Sequence, residues 1–150
     1  MGSKLKITWS EIDSLTDIIV KEINDNDVKY DTIVALSRGG SIPGAILSYK
    51  LGIKNLQNLG INTRQEDGKY VETIIYQRPV LHGNVLVVDD INDSGRTFTA
   101  VDSLIKSEYP DIKELLYCSL TTRYNTEFNR NTISGEIIST SDWLVFPWDK

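Results

Sequence analysis

The stretch that most constrains this chain is "NVLVVDDINDSGRTFTA", residues 84–100. Four apolar residues, Val85 to Val88, run straight into two adjacent acids, Asp89 and Asp90. A short continuous apolar run bounded by polar residues reads as a strand buried on both faces. Phe98, Val101, Leu104 and Ile105 then recur at helical spacing. Buried strand, polar turn and amphipathic helix in direct succession form a βα unit, the building block of a parallel sheet. Adjacent carboxylates repel each other, so Asp89 and Asp90 at the end of such a strand point to something that they hold together.

The rest of the chain repeats the alternation. Ser10 and Asp13 make a capping-box pattern, and Ile12, Leu15, Ile18, Ile19 and Ile23 predict a helix over 11–24. "TIVALS", 32–37, predicts a buried strand. "RGGSIPG" interrupts it, and "AILSYKLG" resumes with helical character. "NLQNLGIN" reads as a weak strand, "RQEDGK" (64–69) as a polar loop, and "YVETIIYQRP" as a strand that Pro79 ends. "ELLYCSLTT", 114–122, is another buried strand, and the last thirty residues hold short strands and the aromatic tail "DWLVFPWDK". The expectation is one α/β domain over 1–150, with a mainly parallel central sheet flanked by helices.

Composition narrows the class of protein. No apolar run approaches the ~20 residues of a membrane span, and "MGSKLKITW" carries no hydrophobic signal core. A single cysteine, Cys118, excludes an internal disulfide. The expectation is a cytoplasmic protein without a membrane partner. A net charge of -5 argues against nucleic acid as a partner. It leaves room for an anionic small ligand held by a few local donors or a metal ion.

In open α/β sheets ligands sit at the carboxyl ends of the strands, which selects two loops. The first, Ser37-Arg38-Gly39-Gly40, follows "TIVAL"; the second, Asp89 to Thr97, follows "VLVV". In the second, Ser94, Gly95, Arg96 and Thr97 lie just before a helix, where exposed backbone N–H groups bind phosphate. Asp89 and Asp90 upstream suit sugar hydroxyls or a divalent cation. A phosphate cradle beside two carboxylates matches a phosphorylated ribose. The plain alternative is a capped helix with Asp93 or Ser94 as N-cap, which leaves two further acids unexplained. In the first loop, Gly39 and Gly40 expose backbone N–H groups to an anion, and Arg38 adds charge. A plain turn explains that loop equally well when it is taken alone.

These residues resemble the type I phosphoribosyltransferases. "VLVVDDINDSGRT" is similar to the family's signature for 5-phosphoribosyl-1-pyrophosphate (PRPP), departing at Asn92 where an apolar residue is usual. "ALSRGGSIPG" resembles the pyrophosphate loop of the purine-salvage branch, and "DWLVFPWD" with the opening "ITW" resembles bacterial and archaeal members of that branch. The resemblance implies the type I fold, with a core over about 10–122. It also implies a small C-terminal hood, made from the N-terminal segment and the tail 123–150. It implies transfer of the phosphoribosyl group from PRPP to a 6-oxopurine (guanine, xanthine or hypoxanthine), giving a nucleoside 5′-monophosphate and pyrophosphate, with Mg²⁺ as cofactor. It further implies a homodimer or homotetramer.

Carried over by residue, the resemblance places the ribose hydroxyls and Mg²⁺ at Asp89 and Asp90. The catalytic acid/base near purine N7 is Asp93. Asp93, Ser94, Gly95, Arg96 and Thr97 surround the 5′-phosphate, and Ser37, Arg38, Gly39 and Gly40 hold pyrophosphate. Trp143, Leu144, Asp149 and Arg123 bind the purine, with Arg123 where the branch has a lysine that bonds the 6-oxo group. Residues 64–69 fall where the family has a mobile loop, and Asn62-Thr63 replaces its serine-tyrosine pair. His82 is expected in a turn, Cys118 in the core, and Trp148 packing the tail. Two other readings remain open: a non-catalytic PRPP or nucleotide sensor on the same fold, and an unrelated doubly wound protein such as a receiver domain.

Overall fold

The computed structural model describes residues 3–149. Six strands form one sheet in the order β4-β3-β2-β5-β6-β7. They are β2 (Thr32–Ser37), β3 (Asn55–Glu66), β4 (Lys69–Gln77), β5 (Gly83–Asn92), β6 (Ile112–Arg123) and β7 (Thr132–Ile138). All neighbours are parallel except β3 and β4. The central strands carry apolar residues on both faces because helices cover both. Ile33, Leu86, Val88, Cys118 and Leu120 pack with α1 (Trp9–Asn24) and α2 (Ser41–Leu51) on one face. Val34, Leu36, Val85, Val87 and Tyr117 pack with α3 (Arg96–Glu108) on the other. Lys50 ties α1 to α2: its ammonium donates to Asp13 Oδ1 (2.6 Å), Asp17 Oδ1 (2.8 Å) and Thr16 Oγ1 (2.8 Å). A separate parallel pair joins β1 (Lys4–Lys6) to β8 (Trp143–Val145).

Four local expectations are corrected. The cap of α1 is Thr8 with Glu11, not Ser10 with Asp13. Glu11 is long enough to reach back to the Thr8 N–H at 3.1 Å while Thr8 Oγ1 accepts from the Glu11 N–H at 3.1 Å. Helix α2 starts at Ser41, inside the stretch read as a break, because Pro43 lies in the first turn, where a missing N–H costs nothing. Strand β5 continues through the acids to Asn92, since Ile91 and Asn92 still pair with Thr121 and Thr122 of a long β6. Residues 64–69 form a hairpin rather than a loop. Asp67 (φ 53°) and Gly68 (φ 74°) are the two positive-φ residues of a tight turn that matches the twist of its strands.

Candidate active site

The two loops chosen from sequence meet. A Cβ placed on Gly39 would lie 2.8 Å from both carboxylate oxygens of Asp90 and 2.9 Å from Asp89 Oδ1. Glycine is therefore required for the β2 loop to lie against the acids. Its neighbour Gly40 donates its N–H to Leu36 O (2.7 Å), and a Cβ there would fall 2.1 Å from Val88 O. The Ser37–Arg38 peptide is cis.

Each acid spends one oxygen on the strand's own backbone. Asp89 Oδ1 accepts from the Asp90 N–H (2.8 Å), and Asp90 Oδ1 from the Ile91 N–H (2.7 Å). Among the described residues no basic side chain pairs with either. Burial, then repulsion from Asp90, holds the Asp89 carboxyl well above its ordinary value. Burial raises Asp90 too, with Asp149 adding repulsion. The Trp148 indole N–H, buried and without a partner in hydrogen-bonding geometry, pulls Asp90 the other way. Two crowded, unneutralised carboxylates suit a hard divalent cation such as Mg²⁺. Among the described residues no third His, Cys, Asp or Glu completes a metal cluster. Asp89 and Asp90 are the residues that would hold such a cation.

The second loop turns at Gly95 (φ 91°), which is the N-cap of α3 in place of the expected Asp93 or Ser94. A Cβ on Gly95 would meet the Phe128 backbone nitrogen at 2.5 Å, so the close packing of segment 126–128 selects glycine. Ser94 Oγ accepts from the Arg96 N–H (3.2 Å). Asp93, Ser94, Gly95, Arg96 and Thr99 border a cavity of about 400 Å³ at the positive end of α3. Thr97 is half-buried in the first helical turn. Asn92, the departure from the resemblance, is buried and fully used: it donates to Phe128 O (2.9 Å) and accepts from Thr126 Oγ1 (2.9 Å). An apolar residue there leaves those partners unsatisfied.

A larger cleft of about 1010 Å³ opens beside the first loop, bordered by Lys4, Arg38, Gly39, Trp143, Trp148 and Asp149. Trp143 is 68% exposed there, whereas Leu144 is buried. The Asp149 carboxylate accepts from the Phe146 N–H (2.9 Å) and fixes the final turn. Trp148 stacks on Phe146, with ring centroids 5.2 Å apart. Arg123 stands apart from this cleft, borders a different cavity, and donates to Asp93 and to two tail carbonyls. The β3–β4 hairpin reaches the loop before α3: the Arg96 guanidinium lies 4.5 Å from the Tyr70 ring centroid. Tyr70, Asn92, Thr126 and the Trp148 N–H were not singled out as site residues from sequence. Their roles depend on partners distant along the chain, and only the Asp-Gly pair at 67–68 signalled the hairpin in advance.

This chain is similar to known proteins over nearly its whole length. A xanthine-guanine phosphoribosyltransferase of Gluconobacter oxydans is 28% identical over 152 residues, covering 95% of this chain and 83% of the relative. One from Vibrio atlanticus is 26% identical over 155 residues, covering 99% and 91%. The crystal structure of a purine phosphoribosyltransferase from Pyrococcus horikoshii superposes with a TM-score of 0.83 at 24% identity, covering 99% of this chain and 95% of that one. The xanthine-guanine-hypoxanthine phosphoribosyltransferase of Helicobacter pylori gives 0.83 at 19% identity, covering 97% and 94%. The family model described as the phosphoribosyl transferase domain matches residues 8–149, the whole of the sheet and both loops, so this chain belongs to the phosphoribosyltransferase family and has its type I fold.

Proposed function

We propose that this enzyme transfers the 5-phosphoribosyl group of PRPP to a 6-oxopurine and releases pyrophosphate. The observation that carries this reading is the seating of the Gly39 backbone directly against the Asp89–Asp90 pair, with the α3 cradle next to it. This layout gives a ribose 5-phosphate bearing a leaving group at C1 one site for each of its parts. Ser94 to Thr97 take the 5′-phosphate, Asp89 and Asp90 the ribose hydroxyls, and Ser37 to Gly40 the pyrophosphate. The purine enters the cleft beside Trp143, Leu144 and Asp149.

The C1–oxygen bond to pyrophosphate breaks as a purine nitrogen bonds to C1. Positive charge develops on the ribose and negative charge on the departing pyrophosphate. Asp89 and Asp90 favour the cationic sugar. Arg38 and the Gly39 N–H group receive the leaving group, an electrostatic contribution made before the reaction begins; the Gly40 N–H, expected to face an anion, is instead used by Leu36 O. Asp89 and Asp90 would hold Mg²⁺, which would supply Lewis-acid stabilisation of the charge on the leaving group. Asp93 exchanges the purine N7 proton. The β3–β4 hairpin shields the ribose from water, which otherwise hydrolyses PRPP.

A spectrophotometric assay with PRPP and Mg²⁺ tests this, offering guanine, xanthine, hypoxanthine and adenine separately. The expected outcome is turnover of at least one 6-oxopurine and a loss of about 10²–10⁴-fold in Asp93→Asn. Tight PRPP binding with no turnover of any base sinks the enzymatic reading and leaves a sensor.

A further inference from the structure

We propose that Arg123 is a positioning residue that fixes the Asp93 carboxylate and the main chain entering the purine-reading strand, and is not itself the reader of the 6-oxo group. The inference rests on the function proposed above. Arg123 ends β6, the strand beside β5, and is 9% exposed. Its three nitrogens point to three acceptors from two distant segments. Nε donates to Asp93 Oδ1 at 3.2 Å, Nη1 to Thr140 O at 2.6 Å and Nη2 to Asp142 O at 2.6 Å.

Each contact restrains something otherwise free. The Asp93 side chain is 60% exposed, and this ion pair is its one side-chain tie among the described residues. Thr140 and Asp142 flank the turn that leads into β8. The Trp143 N–H on the far side of that turn donates to Ser3 O (2.8 Å), and Ser3 Oγ donates to Asp142 Oδ1 (3.0 Å). The segment 140–143 is thus gripped between Arg123 and the amino-terminal strand. Removing the guanidinium leaves two converging carbonyls without donors. A lysine at this position offers one ammonium centre on a flexible stem and cannot span three acceptors lying in a fork. Arg123 also borders a cavity with Ile18, Glu22 and Ile137, not the cleft that holds Trp143, Trp148 and Asp149. The arginine therefore acts on the purine through Asp93 and through the main chain of the tail.

The test uses the full chain as wild type, Arg123→Lys and Arg123→Gln, the last retaining a planar amide if the lysine variant folds poorly. Hydrogen exchange of the ligand-free protein is read at amides 141–144. Steady-state kinetics are read with hypoxanthine and with 6-mercaptopurine, whose sulfur is the weaker hydrogen-bond acceptor. The expected result is at least tenfold faster exchange at 141–144 with unchanged exchange in α3. The KM for purine rises about tenfold, the KM for PRPP stays within twofold, and the hypoxanthine-to-mercaptopurine ratio of kcat/KM is unchanged. A ratio that collapses toward one means that Arg123 contacts the 6-oxo group and overturns the proposal, as does unchanged exchange at 141–144. Wild-type protein that turns over none of guanine, xanthine, hypoxanthine and 6-mercaptopurine refutes the proposed function alone, because the exchange experiment still decides the role of Arg123.

Discussion

Asp89 and Asp90 sit on a strand between two helical layers, and the fold carries their burial and mutual repulsion. With both carboxyl pKa values raised, the native state holds protons more tightly than the unfolded chain. Stability therefore falls as pH rises from the ordinary carboxylate range through the raised values. Asp89→Asn removes one of the two charges. In metal-free buffer at neutral pH its melting temperature is expected to rise by roughly 2–4 °C. Its stability should vary less with pH above the ordinary carboxylate range, and Mg²⁺ with PRPP should no longer raise it. A lower melting temperature in calorimetry refutes the claim that the pair is strained by burial. The acids and glycines of both loops were legible in the sequence because each is a local exception to its surroundings. Asn92 was legible only as an oddity: the loop that it bonds, 126–128, lies more than thirty residues away.

The β3–β4 hairpin shows where element-level reading failed and why. Its outer half, from Arg64 to Val71, is exposed on both faces, so no alternation of apolar and polar residues marks it. What holds it is the Asp67-Gly68 turn and the Arg64 ion pairs to Glu66 and Glu72. Its tip is then fastened to the loop before α3 by Tyr70 over Arg96. A cation–π contact at an exposed site contributes about 0.5–1 kcal/mol. Tyr70→Ala is accordingly expected to raise the KM for PRPP about threefold to fivefold and to speed PRPP hydrolysis without purine, with the melting temperature unchanged. An unaltered KM in the kinetic assay means that the hairpin closes without this contact. The helices were easier to read, since one buried stripe repeats on each of α1 and α3, although the α1 cap fell two residues from its predicted place.

At the scale of the molecule, the Trp143 cleft brings together the two ends of the described chain. Strand β8 pairs in parallel with β1, matching Lys4 to Trp143 and Val145 to Lys6. A chain lacking residues 3–6 keeps both cores around the central sheet and loses the partner of β8. Its KM for purine is expected to rise about tenfold while PRPP binding, followed by calorimetry, stays within twofold. Equal losses for both substrates would mean that the amino-terminal strand supports the whole fold. The sequence by itself determined the layering and the two loops that meet at Asp89 and Asp90, because a buried βα unit writes its period, its turn glycines and its acids into neighbouring residues. Only the tertiary structure decided how the tail is held. Arg123, Asp93, Thr140 and Ser3 belong to distant segments, and hydrogen bonds between distant segments follow from the packed geometry of the sheet, which no local pattern encodes.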